Sequence, residues 1–430
     1  MKPENLNCRK SLFLLLTLII LTLTACGQSE TITNEQWIED IDYFTTTLPQ
    51  VHKNLYFQLS EQEFKKSTEI LKQKIGDLTD REILFEFWKI MVALGDSHSF
   101  IQSRSTDLNI LPLALYVAED GIIVLGAPVE YKMLVGKRID KIERSSTEKV
   151  TGKLKEFIPH ENEYWLKQKL PEFLINADLL LYTGVISNAD SVQLSFKDVN
   201  STKKLYIKTI KASDFNSRGM TFFYEVNDIT IPEAWNRGKK YRYIYYPEDS
   251  LIYFQYNQCV NDQEESFPDF TTRLFRFMQD KPVRVMVVDV RHNTGGNSAL
   301  FSDNFMPKLR DYSGTRDLVT YTIIGRRTFS SGLWAAIDMK NEFNTLLVGE
   351  PSGNKPNHYG EVRNFMLPNS KFRVTYSIKY WKKVDGDPDA LYPDLRYEIT
   401  WKDMMKGRDI FMEKILEQVK KNEQSAIKTD

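Results

Sequence analysis

Three consecutive stretches near the start of the chain, "EQWIEDIDYF", "EFKKSTEILKQKI" and "EILFEFWKIMVAL", space their apolar residues mostly by three and four. That period predicts amphipathic helices. Each stretch follows a Ser or Thr with Gln or Glu three residues on: Thr33 with Gln36, Ser60 with Glu63, Thr79 with Glu82. In such a pair, side chain and backbone exchange hydrogen bonds and satisfy the first turn's orphan amides. From about residue 107 the texture becomes strand-like, in "LPLALYVAEDGIIVLGA", "GKRIDKIERSS" and "DSVQLSFKDVNSTKKLYIKTI". The "EDG" between two apolar runs predicts a hairpin. Helical pieces sit between the strands, around "TEKVTGKLKEF" and "EYWLKQKLPEFLI".

From about residue 240, short apolar runs alternate with helical patterns. "SLIYFQY" precedes "DFTTRLFRFMQD", "VRVMVVDV" precedes "SALFSDNFMPKL", and "LVTYTIIG" precedes "SGLWAAIDMKNEF", with "TLLVGE" after it. Alternation of this kind predicts a parallel sheet with crossover helices. The fold class expected is therefore α/β in an α+β multidomain chain: a tether and helical unit over 26–106, a mixed β-rich unit over 107–215, and an α/β core over 216–430. Ligands of parallel sheets lie beyond the carboxyl ends of the strands, where the loops "RHNTGGN" and "RRTFSSG" fall.

The first 25 residues stand apart. Arg9 and Lys10 precede an apolar run from Leu12 to Ala25, then Cys26. Fourteen residues are short for a spanning helix, which needs roughly 20. Positive flank, apolar core and small residues at the end describe a secretory signal, the alternative being a retained short anchor. "Leu-Thr-Ala-Cys" is similar to a bacterial lipoprotein cleavage box. That likeness implies export, with Cys26 lipidated and the chain tethered to the outer face of the cell membrane. Of the three cysteines, Cys8 and Cys26 are then spoken for, and Cys259 is expected to be an unreactive core residue. Fifty-seven basic residues against 58 acidic ones give a net charge of −1, without the basic excess of a nucleic-acid binder.

Candidate chemistry centres on two loops. Ser330 in "TFSSG" lies between a strand and a helix, where a hydroxyl meets the positive end of the helix. The plain alternative is a helix cap. Gly295 and Gly296 end the neighbouring strand, and their amides with that of Ser331 form a candidate oxyanion hole; otherwise the glycines serve only a turn. A serine nucleophile needs a base. Of the five histidines, His52 and His160 are expected to be solvated, His292 to lie on a loop surface, and His358 to line the pocket. His98, in "LGDSHSFI", is the least demanding base by its ordinary pKa. Lys355, 25 residues after Ser330, is the rival, and needs burial or neighbouring cations to lose its proton near neutrality.

The ordered set "LGDSHSF", "VVDVRHNTGGNS", "TFSSG", "LLVGEPSG", "YPDL" and "GRDIFMEKIL" resembles the C-terminal processing (tail-specific) serine peptidase family over roughly 33–425. The likeness implies a serine endopeptidase that acts on peptide or protein substrates with no metal or organic cofactor. The family's D-x-R-x-N-x-G-G pattern falls on Asp289, Arg291, Asn293, Gly295 and Gly296. Its nucleophile, 19 residues before the Gly of V-G-E, falls on Ser330. One branch pairs the serine with a lysine, matching Lys355, although Tyr359 stands where that branch has Gln. A branch resembling the tricorn protease core uses a His of a Ser-His pair and a late acid, matching Ser97-His98 and Asp389. The likeness further implies a PDZ-like unit in 107–215, without the usual carboxylate-binding loop and open to peptides by strand addition. Two other readings remain at this point: a catalytically inactive peptide-binding lipoprotein of the same fold, and a serine hydrolase of non-peptide substrates.

Overall fold

The structure, a computed structural model, describes residues 32–103, 107–197 and 202–427. The leader, Cys8 and Cys26 lie outside the described residues. The three expected helices run over Asn34–Val51, Glu61–Lys74 and Asp80–Ala93, each opened by the reciprocal capping box read from the sequence. Their apolar faces do not close a core alone. Phe44, Phe64, Phe87 and Met91 pack with Leu367, Phe372, Val374 and Tyr376 from the far end of the chain. Those last residues belong to a hairpin, His358–Met366 with Arg373–Trp381, which the short strand Phe100–Gln102 extends. The helical unit expected over 26–106 thus shares its interior with strands from the unit expected over 216–430.

The middle segment forms a second sheet. Ala114–Ala118 and Gly121–Pro128 make the hairpin, turning at Glu119 and Asp120. The strands Arg138–Ile142, Ser191–Lys197 and Thr202–Lys208 follow in order across the sheet. The helices Thr147–Leu154 and Glu163–Leu174 cover it through Val150, Leu154, Leu166 and Leu170.

The third unit is a six-stranded sheet in sequential order: Tyr241–Tyr246, Leu251–Tyr256, Val285–Asp289, Val319–Ile324, Leu346–Gly349 and Leu395–Arg396. The first strand is antiparallel, and the rest are parallel. Sequential order with right-handed crossovers puts the connecting helices on one face. Met286 and Val288 accordingly pack under Phe267–Gln279, Met306–Ser313 and Ser331–Phe343. Val285 and Val287 face the other way, onto Phe411, Ile415 and Val419 of the helix Ile410–Ile427. Burial on both faces explains why these strands read as unbroken apolar runs. Among the described residues no helix is long and apolar enough to cross a membrane.

Candidate active site

The stretch from Val287 to Ser298 ends its strand in polar residues that fix the loop. The Asp289 carboxylate accepts the Arg291 amide at 3.0 Å, the Arg291 guanidinium at 2.9 Å and the Tyr253 hydroxyl at 2.6 Å. The other edge of the Arg291 fork meets both oxygens of Asp409, at 2.8 and 3.0 Å. Asn293 donates to the Tyr256 carbonyl at 3.0 Å and accepts the Gly295 amide at 2.9 Å. Gly295 and Gly296 then adopt φ of 104° and 133°, values that disfavour any side chain. A Cβ at Gly295 would stand 2.8 Å from Cβ of Ser330, and one at Gly296 would stand 2.3 Å from the Cys259 carbonyl oxygen. Bare backbone is needed at both.

The second loop is tied to the first. Thr328 donates its hydroxyl to the Val290 carbonyl at 2.9 Å, and the Phe329 amide donates to the Asn293 carbonyl at 3.0 Å. Ser330 follows with φ 50° and ψ −128°, a conformation that costs a non-glycine residue about 1–3 kcal/mol. Its amide donates to Asn354 Oδ1 at 3.1 Å. Its hydroxyl does not cap the helix Ser331–Phe343 that begins next, so the plain capping role is not the one it plays. The amide of Gly295 is taken by Asn293. Those of Gly296 and Ser331 donate to no protein group among the described residues. The Ser331 hydroxyl donates to the Gly296 carbonyl at 2.7 Å, which joins the two loops once more.

His98 lies against this turn. Its ring packs on Phe329, with centroids 4.5 Å apart, and stacks on His358 at 5.1 Å and 7°. Both its nitrogens are buried without a hydrogen-bond partner among the described residues, and so neither touches the Ser330 hydroxyl or Asp389. The nearest carboxylate is Asp96, whose Oδ1 lies 3.9 Å from Nδ1 and accepts the His98 amide at 2.9 Å. Burial lowers the His98 pKa, against the attraction of Asp96. Burial also opposes ionisation of Asp96, but bonds from His52 and Ser99 and the charge of His98 outweigh it and hold the group at about 2. His52 is therefore not solvated as its polar neighbourhood suggested. It is buried, with Nε2 3.1 Å from Asp96 Oδ2. His160 is half-buried, with Nδ1 2.6 Å from the Ile158 carbonyl, and His292 is half-buried rather than on the surface.

A cavity of about 640 Å³ borders this region, lined in part by Glu161, Lys355, His358, Tyr359, Asp387 and Asp389. Lys355 turns its ammonium to Asp387 at 2.6 Å. The Asp389 carboxylate accepts the Tyr392 hydroxyl at 2.9 Å, and its backbone carbonyl accepts from Asn162 at 2.7 Å. Cys259 is buried and free, and burial raises its thiol to about 11.

Besides Asp96, two further residues beyond the sequence reading enter the site. Asn354 holds the Ser330 amide and donates to Glu161 Oε2 at 2.6 Å. Glu161 also accepts from the Ser97 and Lys355 amides at 3.4 Å. Burial, then the Asp96 charge, raises its carboxyl to about 8. One donor atom each from Asp96, His98 and Glu161 lies within 4.8 Å of the other two, a spacing a cation would accept. Asp96 already has both oxygens engaged by protein groups. The only hint in the sequence was the Asp two residues before His98.

No family model and no curated protein matches the chain. Among solved structures, mature CPAF aligns with a TM-score of 0.64 at 12% identity, over 92% of this chain and 98% of its own. Mature CPAF complexed with lactacystin gives the same score and identity, with 92% and 99% covered. The photosystem II D1 C-terminal processing protease aligns at 0.39 and 12% identity, over 86% of this chain and 94% of its own. With the mature CPAF alignments as the measure, the chain shares its fold with CPAF over nearly the whole described length.

Proposed function

We propose that the chain is a serine peptidase with Ser330 as its nucleophile. The observation that carries the reading is the strained Ser330, its hydroxyl unused as a cap, beside the Gly296 and Ser331 amides, which donate to no protein group among the described residues. In the reaction, the Ser330 oxygen attacks the scissile carbonyl while its proton passes to His98. The carbonyl oxygen gains charge where the two amides point. His98 then returns the proton to the leaving amine as the C–N bond breaks, and water repeats the sequence on the acyl-enzyme. The ring must close on the hydroxyl when substrate binds, since such bonds are often long before it does. Low basicity from burial suits this base, because it leaves the imidazole neutral and ready at neutral pH.

Two carboxylates compete to orient the ring: Asp389 by the family resemblance, and Asp96 by its position 3.9 Å away. The resemblance and the shared fold with CPAF support the reading. The edge strand Thr202–Lys208, exposed along most of its length, suits peptide addition to the middle sheet. By the leader pattern, the protein is exported and held at the outer face of the cell membrane through lipid on Cys26.

The test is casein or peptide-library cleavage, together with fluorophosphonate labelling, by the full chain. Wild type is compared with Ser330→Ala, His98→Ala, Lys355→Ala, Asp96→Asn and Asp389→Asn. Loss of about 10³-fold or more in both Ser330→Ala and His98→Ala, with Lys355→Ala active, is the expected result. The larger loss between the two Asn variants identifies the orienting acid. Loss in Lys355→Ala with an active His98→Ala points to a serine–lysine enzyme instead. A wild type that neither cleaves nor labels sinks the peptidase reading in favour of a peptide-binding lipoprotein.

A further inference from the structure

Two carboxyl groups and an imidazole meet beside Ser330 with no cationic side chain among them. Asp96 and Glu161 form no ion pair with Lys or Arg among the described residues. Lys355, whose amide donates to Glu161, turns its ammonium away to Asp387 at 2.6 Å. The imidazole is His98. Its side chain is 9% exposed, and both ring nitrogens are buried without a hydrogen-bond partner among the described residues. One donor atom from each of Asp96, His98 and Glu161 lies within 4.8 Å of the other two. A ring buried without partners costs free energy, and a cation shared with two carboxyl groups would remove that cost.

The carboxyl groups have capacity to spare, because an ionised carboxylate offers about four lone pairs. Asp96 Oδ2 accepts from His52 at 3.1 Å and from Ser99 at 2.5 Å. Oδ1 accepts the His98 amide at 2.9 Å and lies 3.9 Å from Nδ1 of the same residue. Two ligands on one zinc ion, each about 2.0–2.2 Å from it, stand at most about 4.4 Å apart. Asp96 and His98 meet that limit as they stand. Glu161 meets it after a shift of about half an ångström, and its contacts with the Ser97 and Lys355 amides are long, at 3.4 Å. Metal ligands are held by outer partners, and these are present. The Asn54 amide donates to His52 Nδ1 at 3.1 Å, which leaves the His52 proton on Nε2, facing Asp96. Asn354 holds Glu161 Oε2 at 2.6 Å. Glu161 also lines the cavity of about 640 Å³, which gives an ion its way in.

An imidazole beside two carboxyl groups suits zinc and its neighbours better than magnesium or calcium, which take oxygen ligands. Resting on the peptidase reading, we propose that Asp96, His98 and Glu161 bind a divalent transition-metal ion that switches the enzyme off. A neutral imidazole has one nitrogen lone pair. The metal takes that pair, the ring proton sits on the other nitrogen, and nothing remains to accept the proton of Ser330. Ligands bind deprotonated, so the Glu161 proton leaves to solvent as the ion enters. Withdrawing the ion restores the base.

The test titrates zinc into the full chain in detergent, against a chromophoric chelator. Wild type and Ser330→Ala are expected to bind one ion alike. Glu161→Gln and Asp96→Asn should each lose about 100-fold in affinity or more, since outer partners alone are worth about 10–100-fold. At saturating zinc, fluorophosphonate labelling of Ser330 should slow by about 10²-fold or more, the contribution of a general base. Excess chelator should restore it, and magnesium at the same concentration should not slow it. X-ray absorption of the zinc-loaded wild type needs no substitution, and should show one imidazole among oxygen neighbours. Sulfur or a second imidazole in that spectrum overturns the site, as does an affinity unmoved by both substitutions. Labelling at full rate with zinc bound overturns the switch and leaves the peptidase standing. If the wild type neither cleaves nor labels without zinc, the peptidase reading fails and the switch with it. The titration and the X-ray absorption then decide the metal site alone.

Discussion

Glu161 illustrates how burial sets chemistry at a single side chain. Its carboxyl, raised to about 8 by burial and by Asp96, is neutral in the fold at pH 7 but ionised in the unfolded chain, where its ordinary value is 4.5. A group whose pKa rises on folding contributes stability that is fully present below the unfolded value. That contribution is lost as pH rises through the folded one. The wild-type melting temperature should therefore decline between about pH 5 and 8 relative to Glu161→Gln, which keeps the bond to Asn354 and carries no charge at any pH. Each tenfold change in proton affinity is worth about 1.4 kcal/mol, so the gap at pH 8 amounts to several kcal/mol. Thermal melts of the two proteins at matched pH would show parallel curves if the carboxyl were ionised in the fold. Ser330 was legible in the sequence because a strand, a Ser and a helix follow one another within one segment. Glu161 was not: in "PHENEYW" it is one of two acids with nothing to set it apart. Its role arises only when residues 96–98 and 354–355 close around it.

At the scale of elements, legibility followed the reach of the signal. Capping boxes are written within four residues, and all three open helices. The parallel strands announced themselves as apolar runs because both faces of the sheet are covered. The hairpin of 358–381 was not legible, since its strands alternate irregularly and their apolar side is buried only by helices from the opposite end of the chain. Between the two site loops, the junction is a glycine. A Cβ at Gly332 would stand 2.4 Å from the Asn293 carbonyl oxygen and 2.7 Å from its Oδ1. The helix Ser331–Phe343 can thus approach the Asn293 loop only without a side chain there. Gly332→Ala should cost about 1–3 kcal/mol in urea unfolding, as overpacking of a close-packed site does. It should also slow fluorophosphonate labelling, because the helix start that holds Ser330 must move. An unchanged labelling rate would show that the loop yields instead of the helix.

Across the whole molecule, the loop that carries the glycines is anchored to the last helix. Arg291 is 4% exposed and grips Asp409 through both ends of its fork, with its guanidinium 4.9 Å from the Phe411 ring. Asp409→Asn leaves a buried cation half-compensated. The expected loss is about 3 kcal/mol in denaturant unfolding, at the lower end for breaking a buried pair, with labelling of Ser330 slowed as well. A loss below about 1 kcal/mol would mean that Asp289 alone suffices. The shared interior of the first helices and the late hairpin bears on the order in which these parts come together. His98 is delivered by the one and His358 by the other, more than two hundred residues apart. Contacts so distant along the chain close late, because the entropy of the intervening loop must first be overcome. A folding chain therefore holds Ser330 and His98 apart until its final third has docked. If Ser330 and His98 act as proposed, the hydrolytic centre is the last part of the chain to exist, and a partly folded chain cannot cut its own unfolded segments.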